Sequence, residues 1–449
     1  MDADEFRKRG HELVDWIAHY RETLEDLPVM SRVAPGEIRA RLPAAPPERG
    51  GSVPITELLD RDVLPGITHW NHPGFFAYFP SNTSYASILG DLAAAGLGAQ
   101  GMSWQTSPAA TEIEEVVMDW LRQIVGLSPA WTGVIQDTAS TATLGALLCA
   151  RERGGTIVYA SQQAHSSIDK GARLAGLTLR SIPVDEAFAM RPAALAAALA
   201  EDLAAGHRPC AIVATSGTTN TTAFDPIAPI AELAARHRTW LHVDAAMAGT
   251  AMALPECRHL WEGVERADSL VFNPHKWMGA GFDLSASYVR DPQHLIRVMG
   301  TNPAYLRTAQ DAQVSNFRDW HIQLGRRFRA LKLWFYLLDA GVEGLRARLR
   351  RDLANAQWLA AEVQAADAWE LVTPVALQTV CVRHRTVDAN AIARSVNERG
   401  AIYVTPSVAH GVPMIRISIG AERTELRHVK AAWLELQAAA VRLAAPGPA

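Results

Sequence analysis

The sequence predicts an α/β fold: a large, mostly parallel β-sheet covered by helices on both faces, followed by a smaller α+β domain. Three observations lead there. Apolar runs at residues 156–160, 177–184, 210–216, 240–246, 269–273 and 284–289 have the length and composition of buried strands. Helical patterns lie between several of them, as at 191–205 and 226–237, and such alternation marks parallel strands joined by crossover helices. From about residue 345 the order changes to a helix, a strand near 379–383, another helix and a strand near 414–419.

The flanking segments follow from local pattern. Residues 4–27 carry Phe6, Leu13, Ile17, Tyr20, Leu24 and Leu27 at near-helical spacing, an amphipathic helix whose apolar stripe must find a partner. Residues 33–54 are rich in proline and glycine and predict a segment that wraps over a surface. Residues 306–316 are polar and aperiodic, a mobile surface loop, and 325–338 resume as a helix. The resulting division is 1–83 as an N-terminal helical and wrapping part suited to dimerisation, 84–344 as the large domain and 345–449 as the small one.

Bulk numbers narrow the class. The chain has 449 residues, 49% hydrophobic and 20% charged, which suits a globular protein of two or three parts. A net charge of -4 speaks against nucleic acid as the main partner. Met1-Asp2-Ala3-Asp4-Glu5 has neither the basic nor the apolar region of a secretory signal, and no uncharged apolar run reaches membrane-spanning length, so the expectation is a cytoplasmic protein without a membrane partner. Cys149, Cys210, Cys257 and Cys381 are far apart without paired metal spacing; Cys149 and Cys381 read as small buried hydrophobes.

Two strand ends carry the chemistry. Lys276 follows the apolar run 269–272, where its side chain can enter a cleft; a lysine becomes nucleophilic once its amine is desolvated, and then forms imines with carbonyl compounds. Alone it is more often a surface charge. Asp244 ends another apolar run, 240–244, and alone reads equally well as a helix cap. Together they supply what pyridoxal phosphate needs, an amine for its aldehyde and a carboxylate for its pyridine nitrogen. Both fall at carboxyl ends of strands, where ligand crevices of open α/β sheets lie.

Four segments then carry a resemblance: Asn273-Pro274-His275-Lys276-Trp277, Gln163-Ala164-His165-Ser166-Ser167, His242-Val243-Asp244-Ala245-Ala246 and Leu324-Gly325-Arg326-Arg327-Phe328. In this order they resemble the group II pyridoxal-phosphate-dependent decarboxylases, in particular the aromatic-L-amino-acid decarboxylases, over about residues 65–345. The resemblance implies an aspartate-aminotransferase-like (fold type I) architecture with a seven-stranded sheet, pyridoxal 5'-phosphate as cofactor, and a homodimer with shared active sites. It implies Lys276 as the Schiff-base lysine, Asp244 as the partner of the pyridine nitrogen and His165 as the imidazole stacked on the ring. Thr138, Ala139 and Ser140, at the start of a helical stretch suited to an anion, are implied in cofactor binding along with Thr219, Asn273 and His275. Trp70, Tyr78, Phe79, Ser81, His165 and Phe282 match substrate-pocket positions, as do Gln100 and Met102, which reach the neighbouring subunit's site. Gln100 and Met102 depart from the more apolar and aromatic residues common there, Asp137 replaces a small residue beside the phosphate stretch, and Gly325 leaves room for an indole.

Tyr305 decides the reaction type under this resemblance. Family members with a tyrosine there protonate Cα after carbon dioxide leaves, whereas phenylalanine accompanies oxygen-dependent aldehyde formation. A positioned general acid contributes about 10²–10⁴-fold, roughly 3–5 kcal/mol. The expected reaction is therefore decarboxylation of an aromatic L-amino acid (tryptophan, tyrosine, DOPA or phenylalanine type) to the arylalkylamine and carbon dioxide. A non-aromatic substrate, oxidative aldehyde formation and a cofactor-binding protein without turnover are the alternatives.

Other signals are set aside. Gly96-Leu97-Gly98-Ala99-Gln100-Gly101 fits a dinucleotide fingerprint but follows a helical pattern at 88–95, not a strand. His69 and His72 precede Pro73-Gly74, and a turn explains them more simply than a metal. Arg326, Arg327, Arg329 and Lys332 alternate with Phe328, Leu331 and Trp334 and read as a solvated helix face.

Overall fold

The computed structural model of the chain describes residues 1–301 and 303–445. The expectation for the 345–449 domain therefore falls, at residues 446–449, outside the described residues. Helix α1 (Ala3–Glu22) starts on Asp2, whose carboxylate accepts the Glu5 N–H, and is followed by a short turn, Leu24–Asp26. The wrapping segment 33–54 contains one short helix, α2 (Glu37–Arg41), and a second, α3 (Ile55–Leu58), follows it. Residues 75–76 then join the small domain: Phe76 N donates to Tyr403 O at 2.8 Å and Ser418 N to Phe76 O at 2.9 Å. Helices α4 (Tyr85–Leu97) and α5 (Pro108–Val125) start on Ser84 and Ser107 and stop at Gly98 and Gly126, both in the left-handed region that only glycine enters without cost.

The large sheet comprises β1 (Thr132–Gln136), β2 (Ile157–Ser161), β3 (Thr178–Ile182), β4 (Pro209–Thr215), β5 (Trp240–Asp244), β6 (Ser269–Phe272) and β7 (Ser285–Val289), in the order β1-β7-β6-β5-β4-β2-β3. All pairings among β2 to β6 are parallel; β7 runs antiparallel to β1 and β6. Helices α6 (Ala139–Glu152), α7 (Ser166–Leu174), α8 (Pro192–Ala204) and α9 (Ile227–His237) are the crossovers, and α10 (Pro292–Met299) follows β7. Alternate strand residues enter two cores. Leu241, Val243, Ile212 and Tyr159 join α5 and α9 on one face; Trp240, Val213 and Val158 join α6, α7 and α10 on the other. Both faces are covered, so the strands read as continuous apolar runs.

Helix α11 (Ala330–Ala365) crosses into the C-terminal part, broken only at Gly341 (φ 61°, ψ 172°). There β8 (Trp369–Leu371), β9 (Thr379–His384), β10 (Thr405–Ala409) and β11 (Val412–Ser418) form an antiparallel sheet, order β10-β11-β9-β8, with α12 (Ala389–Arg399) and α13 (Leu426–Ala444) beside it. Two expectations are corrected here. The helix expected from 325 begins at Ala330; ahead of it Arg326 and Phe328 turn into buried contacts while Arg327 stays exposed. The solvated basic face is not one either. Arg326 is buried and donates to Glu114 at 2.7 and 2.9 Å, and Lys332 is fully buried with Nζ 3.1 Å from Asp91. Arg329 donates to Asp283 at 2.8 Å. Periodicity marked these cations as the polar face; carboxylates remote in sequence made burial tolerable. Of the two histidines set aside, His72 Nδ1 accepts the Gly74 N–H at 2.8 Å in the expected turn, and His69 Nδ1 pairs with the Tyr20 hydroxyl at 2.8 Å.

Candidate active site

The site grows from the alternation in β5. Leu241 and Val243 face one core, which turns Trp240, His242 and Asp244 toward α6 on the other face. His242 is held between Thr143 Oγ1 at 3.2 Å and Ser269 Oγ at 2.8 Å, and burial pushes its pKa down to about 4, leaving a neutral ring beneath the carboxylate. Asp244, at the strand's carboxyl end, accepts the Ala246 N–H on Oδ1 at 3.0 Å.

Beyond β6, Asn273 is anchored by its N–H to the Ala246 carbonyl at 2.8 Å, and its Oδ1 accepts from Ser285 Oγ at 2.7 Å. His275 is buried; its Nδ1 accepts the Leu284 N–H at 3.0 Å and burial takes its pKa down to about 3. Lys276 follows, half-buried, with Nζ 5.5 Å from the centre of the Phe79 ring. Its amine makes no hydrogen bond or ion pair among the described residues. Burial lowers its pKa, while the Asp244 carboxylate acts in the opposite direction. A lysine amine without a partner in a closed site is the chemical state a nucleophile needs.

On the facing side, Thr138 caps α6 reciprocally with Thr141, which leaves the first N–H groups of the helix and the exposed Ser140 directed to an anion. Asp137 Oδ1 takes the Thr138 N–H at 2.6 Å and also pairs with the Thr141 hydroxyl. His165 caps α7: its Nδ1 accepts the Ser167 N–H at 3.2 Å, so the neutral ring carries its proton on Nε2. Burial lowers the His165 pKa, Asp244 opposes this, and Lys276 adds to it. Gly217 at the rim has φ 82°, and a Cβ there would lie 2.4 Å from Ala248 Cβ, so only glycine fits.

These groups share one cavity of about 170 Å³. Thr138, Ala139, Ser140, His165, Thr219, Asp244, Asn273, His275 and Lys276 all line it, together with Phe79 and the unanticipated Ser167, Thr215 and Met247. The other predicted residues lie outside its wall. Trp70 and Tyr78 stack at 5.6 Å, and Tyr78 packs edge-on to Tyr403. Phe282 meets the His275 ring at 4.9 Å, and Ser81 is half-buried. Gln100 and Gly325 lie against each other, and the Met102 carbonyl accepts the Arg318 N–H at 2.8 Å. Tyr305 is 80% exposed in the turn Ala304–Leu306.

Arg416 escaped the sequence reading. It is 3% exposed, lies 5.0 Å from the same Phe79 ring as Lys276, and donates to the carbonyls of Asn220 at 2.9 Å and Tyr78 at 3.1 Å. Its Nη2 has no partner among the described residues. A buried guanidinium without a carboxylate calls for an anion from outside the chain. The available signal was an arginine in the middle of the apolar run 414–419.

The cavity fits pyridoxal phosphate by its donor set: an unpartnered amine, a carboxylate, an imidazole, and a helix N-terminus with hydroxyls. The comparisons agree. Residues 35–385 match the model described as the pyridoxal-dependent decarboxylase conserved domain. The chain is 40% identical to an aromatic-L-amino-acid decarboxylase of Bos taurus over 468 residues, covering 97% of this chain and 96% of that one. Among solved structures, an Oryza sativa TDC with PLP and tryptamine superposes with a TM-score of 0.96 at 36% identity, covering 98% and 99% of the two chains. A Rhodiola rosea 4-hydroxyphenylacetaldehyde synthase superposes with a TM-score of 0.94 at 33% identity, covering 99% and 100%. The fold is thus that of the pyridoxal-phosphate decarboxylases, and the chain belongs to the pyridoxal-dependent decarboxylase family, as a pyridoxal-phosphate-dependent amino-acid decarboxylase.

Proposed function

We propose that the protein decarboxylates an aromatic L-amino acid to the arylalkylamine and carbon dioxide, with Lys276, Asp244, His165 and Tyr305 as its catalytic residues. The observation that carries the site assignment is the common cavity shared by an unpartnered lysine amine, a strand-end carboxylate and a helix N-terminus. The names of the relatives support the aromatic substrate.

When bound, pyridoxal phosphate supplies an electron-withdrawing ring that accepts the electron pair left on Cα as carbon dioxide departs. Lys276 would hold the cofactor's aldehyde through its amine. Asp244 would hold a proton on the pyridine nitrogen through its carboxylate. His165 would hold the ring with its imidazole. Thr138, Ala139, Ser140, Thr219, Asn273 and His275 hold the phosphate and ring edges. Arg416 takes the substrate carboxylate on its free Nη2, and Trp70, Tyr78, Phe79, Ser81, Phe282 and Gly325 shape the ring pocket. Tyr305 delivers a proton to Cα once its loop closes and excludes water.

The protein acts as a homodimer in this reading. Tyr85, Leu89 and Leu92 form an exposed apolar stripe on α4, and Phe6 and Val14 stay exposed on α1; a second copy would cover them, with Gln100 and Met102 reaching its site. We keep the division into 1–83, 84–344 and 345–449, which the Gly341 break in α11 supports. A cytoplasmic location, without nucleic-acid or membrane partners, accords with the net charge of -4; among the described residues no helix is long and apolar enough to cross a membrane.

The second reading, oxygen-dependent aldehyde formation, is favoured by the likeness to the Rhodiola synthase and opposed by Tyr305. A panel of amino acids scored for amine, carbon dioxide, aldehyde and peroxide tests both. Turnover of non-aromatic substrates alone would overturn the substrate class. Peroxide at the rate of substrate loss would establish the second reading.

A further inference from the structure

Lys276 leaves the helical conformation of its neighbours, with φ −90° and ψ −106°. The carbonyls of Lys276 and of the two residues after it are gripped from remote parts of the chain. The Lys276 carbonyl accepts from Asn82 N at 3.4 Å and Nδ2 at 3.3 Å. The same Nδ2 donates to Gly420 O at 2.7 Å, while Asn82 Oδ1 accepts the Glu422 N–H at 2.9 Å. The carbonyls of Trp277 and Met278 both accept from Arg348 Nη2, at 2.5 and 2.7 Å. The Trp277 indole N–H donates to Asp352 Oδ2 at 2.9 Å, and Arg351 joins the other Asp352 oxygen, at 3.0 Å from Nη2, to the Glu422 carbonyl at 2.9 Å. Asn82, Trp277 and Asp352 are fully buried, and a Cβ on Gly420 would come within 3.0 Å of the Trp277 ring.

We propose that Asn82, Trp277 and Asp352 are positioning residues that set the direction in which Lys276 leaves the backbone. The proposal rests on reading Lys276 as the cofactor lysine. A four-carbon stem with free rotation cannot aim its own nitrogen. Fixing the carbonyl of Lys276 itself and the ring of the residue after it restricts Cα, and with it the arc the amine can sweep. Misplacement of a reacting atom by 1 Å costs about 10²-fold in rate. None of the three side chains lines the cofactor cavity, so they act through the lysine and not on the cofactor.

Trp277→Phe removes the indole donor while keeping an aromatic ring, and Asn82→Ala removes the bridge between the Lys276 and Gly420 carbonyls. In each holoenzyme, turnover per bound cofactor and the pH midpoint of the visible cofactor band are measured. Turnover is expected to fall at least about tenfold, the substrate KM to stay within about threefold, and the midpoint to move. A merely structural role would lower cofactor content or melting temperature while each bound cofactor turned over normally. Wild-type turnover per bound cofactor in Trp277→Phe, or an unmoved midpoint, overturns the proposal, and that variant decides alone if Asn82→Ala fails to fold. Lys276→Ala separates the two readings. If it keeps the band, the lysine assignment fails; if it loses the band while Trp277→Phe is normal, only the clamp fails.

Discussion

Gln100 is fixed over Gly325: its Oε1 accepts the Arg326 N–H at 2.6 Å, and a Cβ on Gly325 would come within 3.3 Å of its Nε2. The carboxamide cannot retreat without breaking that bond, so any side chain at 325 moves Gln100 or is itself pushed into the space beside it. Gly325→Ser is expected to lower kcat/KM for L-tryptophan relative to L-tyrosine by about tenfold or more, the scale of one badly placed group in a pocket. Initial rates with both substrates check this, and an unchanged ratio would remove Gly325 from the ring pocket.

Arg416→Met keeps much of the packing on Phe79 and removes the free guanidinium nitrogen. The substrate KM is expected to rise at least about tenfold, consistent with loss of one charge-assisted bond. Inhibition by the product amine, which has no carboxylate, should stay as in the wild type. Equal weakening of substrate and amine would mean that Arg416 only supports the Tyr78 and Asn220 carbonyls.

Tyr305→Phe is expected to divert product from amine to aldehyde, with molecular oxygen consumed and peroxide formed in step. Chromatography of the products with an oxygen electrode reads both. An unchanged amine yield would exclude the phenol as the proton donor.

Glu114→Gln leaves Arg326 buried without a counter-charge and weakens the acceptor of the Ile135 N–H, now held at 2.9 Å. Breaking such a pair costs about 3–5 kcal/mol. Denaturant unfolding of the holoenzyme should show a loss of that order; a loss below about 1 kcal/mol would match a surface pair instead.

Acid should destabilise the protein through two rings kept neutral by burial. His242 and His275 have an ordinary value of 6.5 when unfolded but about 4 and about 3 when folded. Below 6.5 the unfolded chain therefore binds more protons, and stability falls as pH drops toward the folded values. Near pH 5 each ring accounts for about 2 kcal/mol of loss. Melting temperatures at about pH 7.5 and 5 check the sign, and His242→Gln should flatten the slope.

The grouping of these residues around one cavity was legible because its parts sit where strand chemistry puts them. Asp244 and Asn273 follow apolar runs, and a parallel sheet gathers such ends at one edge. Thr138 and His165 start helices that follow strands, so their caps face the same edge. The substrate side was less legible. Gln100 and Gly325 belong together through a contact between residues remote in sequence, and Tyr78, stacked on Trp70, meets Tyr403 of the C-terminal part, which no local pattern announces.

What the sequence determined by itself was the strand–helix alternation, the chemistry at the strand ends and the family those motifs mark, because periodicity and turn chemistry are local properties. Only the tertiary structure decided the fate of the charges. Arg326 found Glu114, Lys332 found Asp91, and Arg416 was left with an open nitrogen beside the cavity. The reason is physical: the cost of burying a charge depends on which group stands opposite it, and that neighbour is chosen by the fold.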